Sequence, residues 1–197
     1  WALVPVEGRV PDAEFFHALA QRRFPAVHWL RSPAQLDYIE QPDMFHDVYG
    51  HVPLLTNPHF AGFLQGFGEL ALPYLHEPHL VELLARLYWY TVEFGLIQEP
   101  EGLRIYGAGI LSSSGESAFA LSDVPERLPF DLQRVMATPF NPSTFQKQYF
   151  VIQDYKELFD SLPELRRLMA RLAALSLAEE TAHALAPAPE RLLALDA

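Results

Sequence analysis

The sequence contains no cysteine. Disulfides, thiolate nucleophiles, iron–sulfur clusters and cysteine-ligated zinc sites are therefore excluded. A metal bound by this chain must take its ligands from histidine and the carboxylates. The lack of cysteine is compatible with any compartment, and the cytoplasm, where disulfides are rare, is the expected location.

Basic residues and long apolar runs are also scarce. The 197 residues include 14 Lys and Arg against 25 Asp and Glu, which gives a formal net charge of −11. Nucleic acids and anionic membranes both select basic surfaces, so neither is expected as a partner. No apolar run approaches the roughly 18 residues of a membrane span, and no secretory signal is recognisable. The sequence begins with Trp1 instead of methionine, so we expect an N-terminal segment to be missing.

Hydrophobic residues make up 50% of the chain and aromatic residues 13%, which is typical of a globular protein. The length suits one domain. Hydrophobic periodicity and turn residues predict a mainly α fold with a few short β-strands (α+β), as a single domain over residues 1–197 with 185–197 as a peripheral tail. Helices are predicted from Asp12, from Pro58 towards Tyr74, and over 80–97, 130–136, 155–162 and 163–184; strands or extended segments are predicted at 24–31, 103–111 and 148–153.

The most informative stretch contains two histidines, His46 and His51, five residues apart. On an α-helix this step leaves the two side chains about 140° apart. Both imidazoles can still reach one atom if the chain leaves the helix between them, which Gly50 permits and Pro53 enforces. Asp43 is placed to cap the helix at its start. The stretch therefore predicts part of a metal site at the end of a helix.

A third candidate ligand, Glu93, lies in the predicted helix 80–97, which is apolar nearly all round. A carboxylate in such a place costs several kcal/mol unless it is paired or bound to a metal. Two histidines and one carboxylate on one face of a metal are typical of non-heme iron(II) sites, although the pattern alone also fits catalytic zinc. The remaining six histidines are interpreted as structural or solvated: His17, His28, His59, His76, His79 and His183.

Four segments extend this pattern to longer motifs. They are QPDMFHDVYGHVPLL at 41–55, RLYWYTVEFGL at 86–96, RIYGAGILSS at 104–113 and TFQKQYFVI at 144–152. In this order they resemble the pterin-dependent aromatic amino acid hydroxylases over roughly residues 1–160. The likeness is greatest to the short bacterial members, which are monomeric and lack a regulatory domain and a tetramerisation helix. It implies that the chain converts L-phenylalanine, O2 and tetrahydropterin to L-tyrosine, with Fe(II) bound by His46, His51 and Glu93.

The resemblance also implies a substrate site. Arg31, which the pattern alone presents as a surface arginine, would bind the α-carboxylate of the substrate, because its planar fork suits a carboxylate. Ile39 stands where animal relatives carry threonine, so one polar contact is expected to be absent. The implied substrate-binding residues are Arg31, Tyr38, Ile39 and Ser112 at the amino acid end, and Pro42, Trp89 and Phe94 around the aromatic ring.

The resemblance implies a pterin site as well. Phe15 would stack on the pterin ring, with the backbone of Gly8, Arg9 and Val10 at its polar edge. Asp47 stands at the position of a glutamate that contacts pterin in the animal enzymes. The resemblance also places Tyr88 close to the iron and Glu116 behind the substrate pocket.

Three alternatives remain open from the sequence. Tryptophan and tyrosine hydroxylases of the same family share the ligands, and pocket shape sets their preference. A zinc hydrolase could use the same three side chains, although the usual His-Glu-x-x-His helix is absent. A non-catalytic pterin-binding module is the third alternative.

Overall fold

The structure, a computed structural model, describes residues 1–35 and 41–185. Within these ranges α-helices predominate over short strands, and the predicted mainly α class is confirmed. The α-helices are α1 (Asp12–Ala20), α2 (Pro58–Ala71), α3 (Pro78–Tyr88), α4 (Ala108–Leu111), α5 (Ser114–Leu121), α6 (Leu132–Ala137) and α7 (Tyr155–Leu185). The strands are β1 (Ala2–Val6), β2 (Arg23–Val27), β3 (Leu96–Glu99), β4 (Gly102–Ile105), β5 (Glu126–Pro129) and β6 (Gln148–Ile152).

Two π-helices and three 3₁₀ turns complete the described elements. The first π-helix is Phe45–His51 and the second is Trp89–Glu93. The 3₁₀ turns are Pro33–Gln35, Val52–Thr56 and Leu72–Tyr74. No helix among the described residues combines the length and apolar character needed to span a membrane.

Helix α2 forms the centre of the core. It begins at Pro58 because the Asn57 side chain accepts hydrogen bonds from the amides of His59 and Phe60, and proline is favoured at the first helical position. Its buried face is rich in phenylalanine and packs between α1 and α7. The fully buried side chains on this face include Phe60, Phe63, Leu64 and Phe67.

The strands form two small sheets. The first sheet contains β1 and β2, which are connected by α1 and pair in parallel. The second sheet has the strand order β4-β3-β6-β5. β3 pairs antiparallel with β4 and parallel with β6, where Leu96 lies opposite Val151. Because β3 begins three residues after Glu93, this sheet anchors the chain as it leaves the second π-helix.

The predicted helix break at Pro163 is wrong, because α7 is one continuous helix. Proline removes one backbone hydrogen bond, but α7 packs closely on α2 across this point. A Cβ added at Gly62 would lie 2.8 Å from Phe159, and one at Gly66 would lie 2.6 Å from Leu162. Packing against these two glycines therefore outweighs the local cost of the proline.

Three other predicted boundaries also differ. The helix predicted over 80–97 ends at Glu93, and its last residues belong to β3. The strand predicted over 103–111 ends at Ile105 because α4 follows, and the one predicted over 24–31 ends at Val27. Strand β5 was not predicted, since its Glu-Arg-Leu-Pro sequence lacks the alternation of a typical strand.

Candidate metal centre and substrate site

His46 and His51 lie on the first π-helix. Hydrogen bonds in a π-helix run from residue i to residue i+5, so residues five apart fall nearly above one another. The Nε2 atoms of the two imidazoles are 3.2 Å apart. The sequence prediction that the chain leaves the helix at Gly50 is therefore wrong. The helix widens instead, and this widening brings the two rings together.

Gly50 serves a different purpose from the one predicted. A Cβ at this position would lie 2.7 Å from the Cβ of Ala108, so glycine allows α4 to approach the first π-helix. The chain then tightens into the 3₁₀ turn Val52–Thr56, which accommodates Pro53 near its start. The π-helix is thus confined to the residues that carry the two histidines.

Glu93 ends the second π-helix and faces both imidazoles. Its Oε2 lies 3.4 Å from His46 Nε2, and its Oε1 lies 3.3 Å from His51 Nε2. The three side chains each offer one ligand atom within 4.8 Å of the others, and no other such group of three occurs among the described residues. Donor atoms about 2.1 Å from a common ion lie roughly 3.0–3.4 Å apart. The observed spacing therefore fits one metal ion, whether iron or zinc.

The negative charge of Glu93 is compensated by the two imidazoles of the cluster. Burial raises the pKa of Glu93, but attraction to His51 and His46 and their hydrogen bonds outweigh burial and hold this pKa well below its usual range. Burial lowers the pKa of His46, and attraction to Glu93 reverses the direction, so the net pKa is raised. A buried carboxylate that relies on two imidazoles for compensation is well suited to a cation.

His46 has a defined outer partner, whereas His51 does not. Nδ1 of His46 lies 2.8 Å from Ser112 Oγ, and its backbone amide donates to Asp43 Oδ1. Nδ1 of His51 has no hydrogen-bond partner among the described residues, and the ring packs on Phe24 with centroids 4.9 Å apart. A metal-ligating histidine usually donates its second N–H to an acceptor, so only His46 follows this rule.

Arg31 is buried next to this cluster, with 4% of its side chain exposed, so its interpretation as a surface residue is wrong. Nη1 donates to the Ser112 carbonyl at 2.6 Å, and Nη2 donates to Asp43 Oδ1 at 2.7 Å. Its Nε is buried and has no hydrogen-bond partner among residues 1–35 and 41–185. The guanidinium is thus held on two sides and retains an unused donor.

Asp43 connects this arginine to the first π-helix. Burial raises its pKa, but hydrogen bonds from Arg31 and the His46 amide outweigh burial and lower the pKa to about 2. The sequence predicted Asp43 only as a helix cap, and its bond to the His46 amide is of that kind. Its pairing with Arg31 was missed, although a carboxylate near an isolated arginine is a signal that could have been used.

The family profile of the biopterin-dependent aromatic amino acid hydroxylases matches residues 1–184. The chain belongs to this family. It is 56% identical over 162 residues to the phenylalanine-4-hydroxylase of Ralstonia nicotianae, covering 82% of this chain and 51% of the relative. It is 53% identical over 175 residues to that of Chromobacterium violaceum, covering 88% and 59%.

A solved structure of this hydroxylase family shows the same fold. The Chromobacterium violaceum phenylalanine hydroxylase, crystallised with iron(III) and the oxidised cofactor 7,8-dihydrobiopterin, superimposes with a TM-score of 0.80 at 52% identity, covering 88% of this chain and 63% of that chain. The chain therefore spans about half to three-fifths of the length of the curated relatives given above.

Two of the residues predicted for the substrate pocket, Trp89 and Phe94, stack on each other at the end of the second π-helix. Trp89 and Phe94 are stacked with ring centroids 4.3 Å apart and planes 26° apart. Pro42 is half-buried and directly precedes Asp43. Tyr38 and Ile39 lie outside the described residues, so the structure gives no account of them.

The predicted pterin residues lie around the start of the chain. Phe15 is half-buried, and its ring meets Tyr88 edge-on at 5.3 Å. The side chain of Arg9 is exposed and directed to Asp12, while Gly8 and Val10 are half-buried.

Asp47 and Tyr88 both lie close to the ligand cluster. Asp47 Oδ2 accepts a hydrogen bond from the Val27 amide at 2.8 Å, and Oδ1 lies 4.0 Å from His46 Nε2. Asp47 therefore ties the first π-helix to β2, an anchoring role that sequence reasoning missed. Burial, followed by the charges of Glu93 and Asp47, raises the pKa of Tyr88 well above its usual value, so this phenol stays protonated.

Glu116 is buried on α5, behind the loop that carries Ser112. Its Oε1 accepts hydrogen bonds from the Tyr149 hydroxyl and from the Gln146 amide, and its own amide donates to Ser113 Oγ at 3.2 Å. Burial raises the pKa of Glu116, and the hydrogen bonds offset this only in part. These hydrogen bonds join α5 to β6 and to the loop that precedes β6.

Proposed function

We propose that this chain forms the catalytic core of a phenylalanine 4-monooxygenase, which uses Fe(II), tetrahydropterin and O2 to convert L-phenylalanine to L-tyrosine. The observation that carries the proposal is the convergence of His46, His51 and Glu93 next to the buried fork of Arg31. The bacterial relatives given above are named phenylalanine-4-hydroxylases, and this similarity supports phenylalanine rather than tryptophan or tyrosine as the substrate proposed for this chain.

In this proposal His46, His51 and Glu93 hold Fe(II) on one face. Three protein ligands leave positions for exchangeable partners, and one carboxylate reduces the positive charge of the site. When bound, iron and tetrahydropterin together supply the O2 activation and the two electrons that the hydroxylation needs. The protein contributes the placement of the reactants.

Arg31 binds the α-carboxylate of the amino acid in this proposal. Asp43 and the Ser112 carbonyl already fix its guanidinium, so little side-chain freedom is lost when substrate arrives. Its Nε has no partner among the described residues, and we propose that it donates to the substrate carboxylate. Tyr38, Ile39 and Ser112 would complete this end of the site.

Apolar side chains enclose the reacting ring. Pro42, Trp89 and Phe94 form the proposed slot, with the guanidinium of Arg31 at one end. An apolar slot with one polar clamp is typical of small-molecule sites and fixes the direction in which the ring enters. The enclosure also excludes water from the reacting carbon.

Pterin is proposed to stack on Phe15 and to meet the backbone of Gly8, Arg9 and Val10. Asp47 is proposed to act on it from the metal side, and Tyr88 and Glu116 to support the surroundings of the metal and the pocket. The support for these assignments is the resemblance of the motifs and the proximity described above.

The test is tyrosine formation from L-phenylalanine with Fe(II), tetrahydropterin and air, against mixtures lacking each component. Tyrosine that forms only in the complete mixture supports the proposal. If pterin is oxidised but no tyrosine forms, phenylalanine is not the substrate, and the assay is repeated with tryptophan. Bound iron without O2 consumption rules out independent activity of this chain and favours a binding module.

Variants of the ligands test the metal assignment separately. We expect His46→Ala and Glu93→Ala to lose bound iron and turnover while keeping the circular dichroism of the parent. His79→Ala, on an exposed histidine outside the site, is the matched control and should keep both. Full iron content in either ligand variant would remove that residue from the metal site.

We also propose that the chain is a monomer of the cytoplasm. The proposal is supported by its resemblance to the short bacterial members of the family. Light scattering of the purified chain across a range of concentrations tests the first part, and fractionation of the source cells tests the second.

A further inference from the structure

The indole of Trp89 is covered on both faces. Phe94 lies 4.3 Å away at 26°, and Phe140 lies 4.3 Å away at 15°. If the rings of Phe94 and Phe140 both lay on the same face of the indole at this distance, they would contact each other. No ring contact between these two phenylalanines is found among the described residues. The three rings therefore form a column with Trp89 in the middle.

The orientation of Trp89 depends on this column. Its indole Nε1 is buried without a hydrogen-bond partner among the described residues, so no polar contact fixes the rotation of the ring. Stacking alone must do so, and aromatic stacking has a preferred geometry. Phe94 is close in sequence and moves with the second π-helix, whereas Phe140 comes from a separate segment and supplies an independent support.

The segment that carries Phe140 is fixed on both sides. The Tyr90 hydroxyl donates to the carbonyl of Pro139 at 2.9 Å. The Gln146 side chain donates to the carbonyls of Asn141 and Thr144 at 3.0 and 2.9 Å. Gln146 is itself buried, and its backbone amide donates to Glu116 Oε1. Phe140 is thus presented to Trp89 by backbone that cannot easily move.

We propose that Phe140 is a positioning residue for the substrate pocket: it fixes the indole of Trp89 as a wall of the pocket and thereby sets how tightly the aromatic ring of the substrate is held. This inference rests on the proposed function, in which Trp89 lines that pocket. Phe140 acts through Trp89 and not on the substrate itself. Replacing the aromatic ring of Phe140 with an aliphatic side chain removes this support and leaves the candidate metal ligands unchanged.

The test compares Phe140→Leu with Phe140→Tyr, which retains the stacked ring, and with Phe145→Leu. Phe145 belongs to the same connecting segment, but its ring is half-exposed and faces Phe119, so it is the matched control. An aromatic pair is worth roughly a 2- to 10-fold change in an equilibrium constant. We expect Phe140→Leu to raise KM for phenylalanine by that factor, to change kcat less than about twofold, and to form less tyrosine per pterin oxidised.

Phe140→Tyr and Phe145→Leu should retain the parent values, and all variants should bind iron equally. Unchanged KM and coupling in Phe140→Leu, or equal losses in Phe140→Tyr, would overturn the proposal. If Phe140→Leu does not fold, Phe140→Met is measured against the same expectations.

Near-ultraviolet circular dichroism separates this inference from the proposed function, because it reports the packing of Trp89 without turnover. We expect a reduced aromatic signal in Phe140→Leu and a parental signal in Phe140→Tyr, even if the chain hydroxylates no amino acid. Identical spectra for the parent and Phe140→Leu would count against the column as the support of Trp89.

Discussion

The two π-helices that carry the candidate ligands are held in place by different means. Hydrogen bonds fix the first: the His46 amide and ring bond to Asp43 and Ser112, and Asp47 bonds to the Val27 amide. The second is also bonded to another segment, by Tyr90 to the Pro139 carbonyl, but its last residue, Glu93, is held by close packing. A Cβ at Gly107 would lie 2.3 Å from the Glu93 carbonyl oxygen.

This difference predicts which substitutions each of the two π-helices tolerates. Hydrogen-bonded positions lose stability when one polar atom is removed, because the partner is left buried and unsatisfied. Closely packed positions lose stability when an atom is added, because neighbouring backbone cannot move away. We therefore expect the polar partners around His46 to be sensitive to the loss of an atom. The closely packed glycines, Gly107 beside Glu93 and Gly50 beside Ala108, should be sensitive to the addition of one.

The largest effect is expected from Gly107→Ala. Its Cβ would lie 2.3 Å from the Glu93 carbonyl oxygen and 2.5 Å from the Gly95 amide nitrogen, and overpacking against backbone costs about 3 kcal/mol or more. We expect a lower melting temperature and loss of iron by calorimetry and metal analysis. Gly115→Ala is the control, since its nearest contact is the movable ring of Phe145 at 3.1 Å. Equal stability of the two variants would contradict the packing account.

Asp43→Asn should have the next largest effect. It weakens the charged pair with Arg31, and hydrogen bonds to charged groups contribute about 1.5–3 kcal/mol. We expect a loss of about 2 kcal/mol in denaturant unfolding and a higher KM for phenylalanine. Asp131→Asn is the matched control, because Asp131 caps α6 on the surface and asparagine caps equally well. An unchanged KM in Asp43→Asn would separate Arg31 from substrate binding.

Ser112→Ala should act on metal affinity more than on stability. It removes the hydroxyl beside His46 Nδ1, and loss of such an outer partner typically costs 10- to 100-fold in metal affinity. Titration with Fe(II) measures this, and Ser122→Ala, whose hydroxyl bonds Phe119 at the far end of α5, should bind as the parent does. Parental affinity in Ser112→Ala would show that the hydroxyl does not support His46.

The smallest effect concerns the pH dependence of stability through Glu116. Its pKa is raised in the folded state by burial, so the folded chain holds this proton more tightly than the unfolded chain. Stability should therefore fall as pH rises from the ordinary carboxyl pKa through the raised one, and level off above it. We expect Glu116→Gln to have a shallower slope of unfolding free energy in this window. An identical slope would mean that other groups govern this range.

The sequence predicted the main helices and the candidate ligands because both depend on local signals. Asn57-Pro58 marks the start of α2, and Glu93 stands out in an apolar helix. The pairing of Arg31 with Asp43 was not predicted, because it depends on how the chain returns after twelve residues. Neither was Phe140, since its contact with Trp89 joins segments distant in sequence and carries no periodic pattern.

The π-helices themselves could not be predicted either, because hydrophobic periodicity does not separate them from α-helices over so few residues. His46 and His51 illustrate the problem. Their spacing predicts a helix that ends between them, whereas tertiary contacts, such as that of Gly50 with Ala108, favour a wider helix that continues.

The hydrogen-bonded ring of a π-helix contains one residue more than that of an α-helix. The meeting of His46 with His51 is therefore encoded in the number of residues as well as in their identity. If the same seven residues were wound as an ordinary α-helix, the two imidazoles would lie about 140° apart around the axis, with every ligand still present in the sequence. A change that narrows this turn would therefore remove the site and leave its three ligands in place.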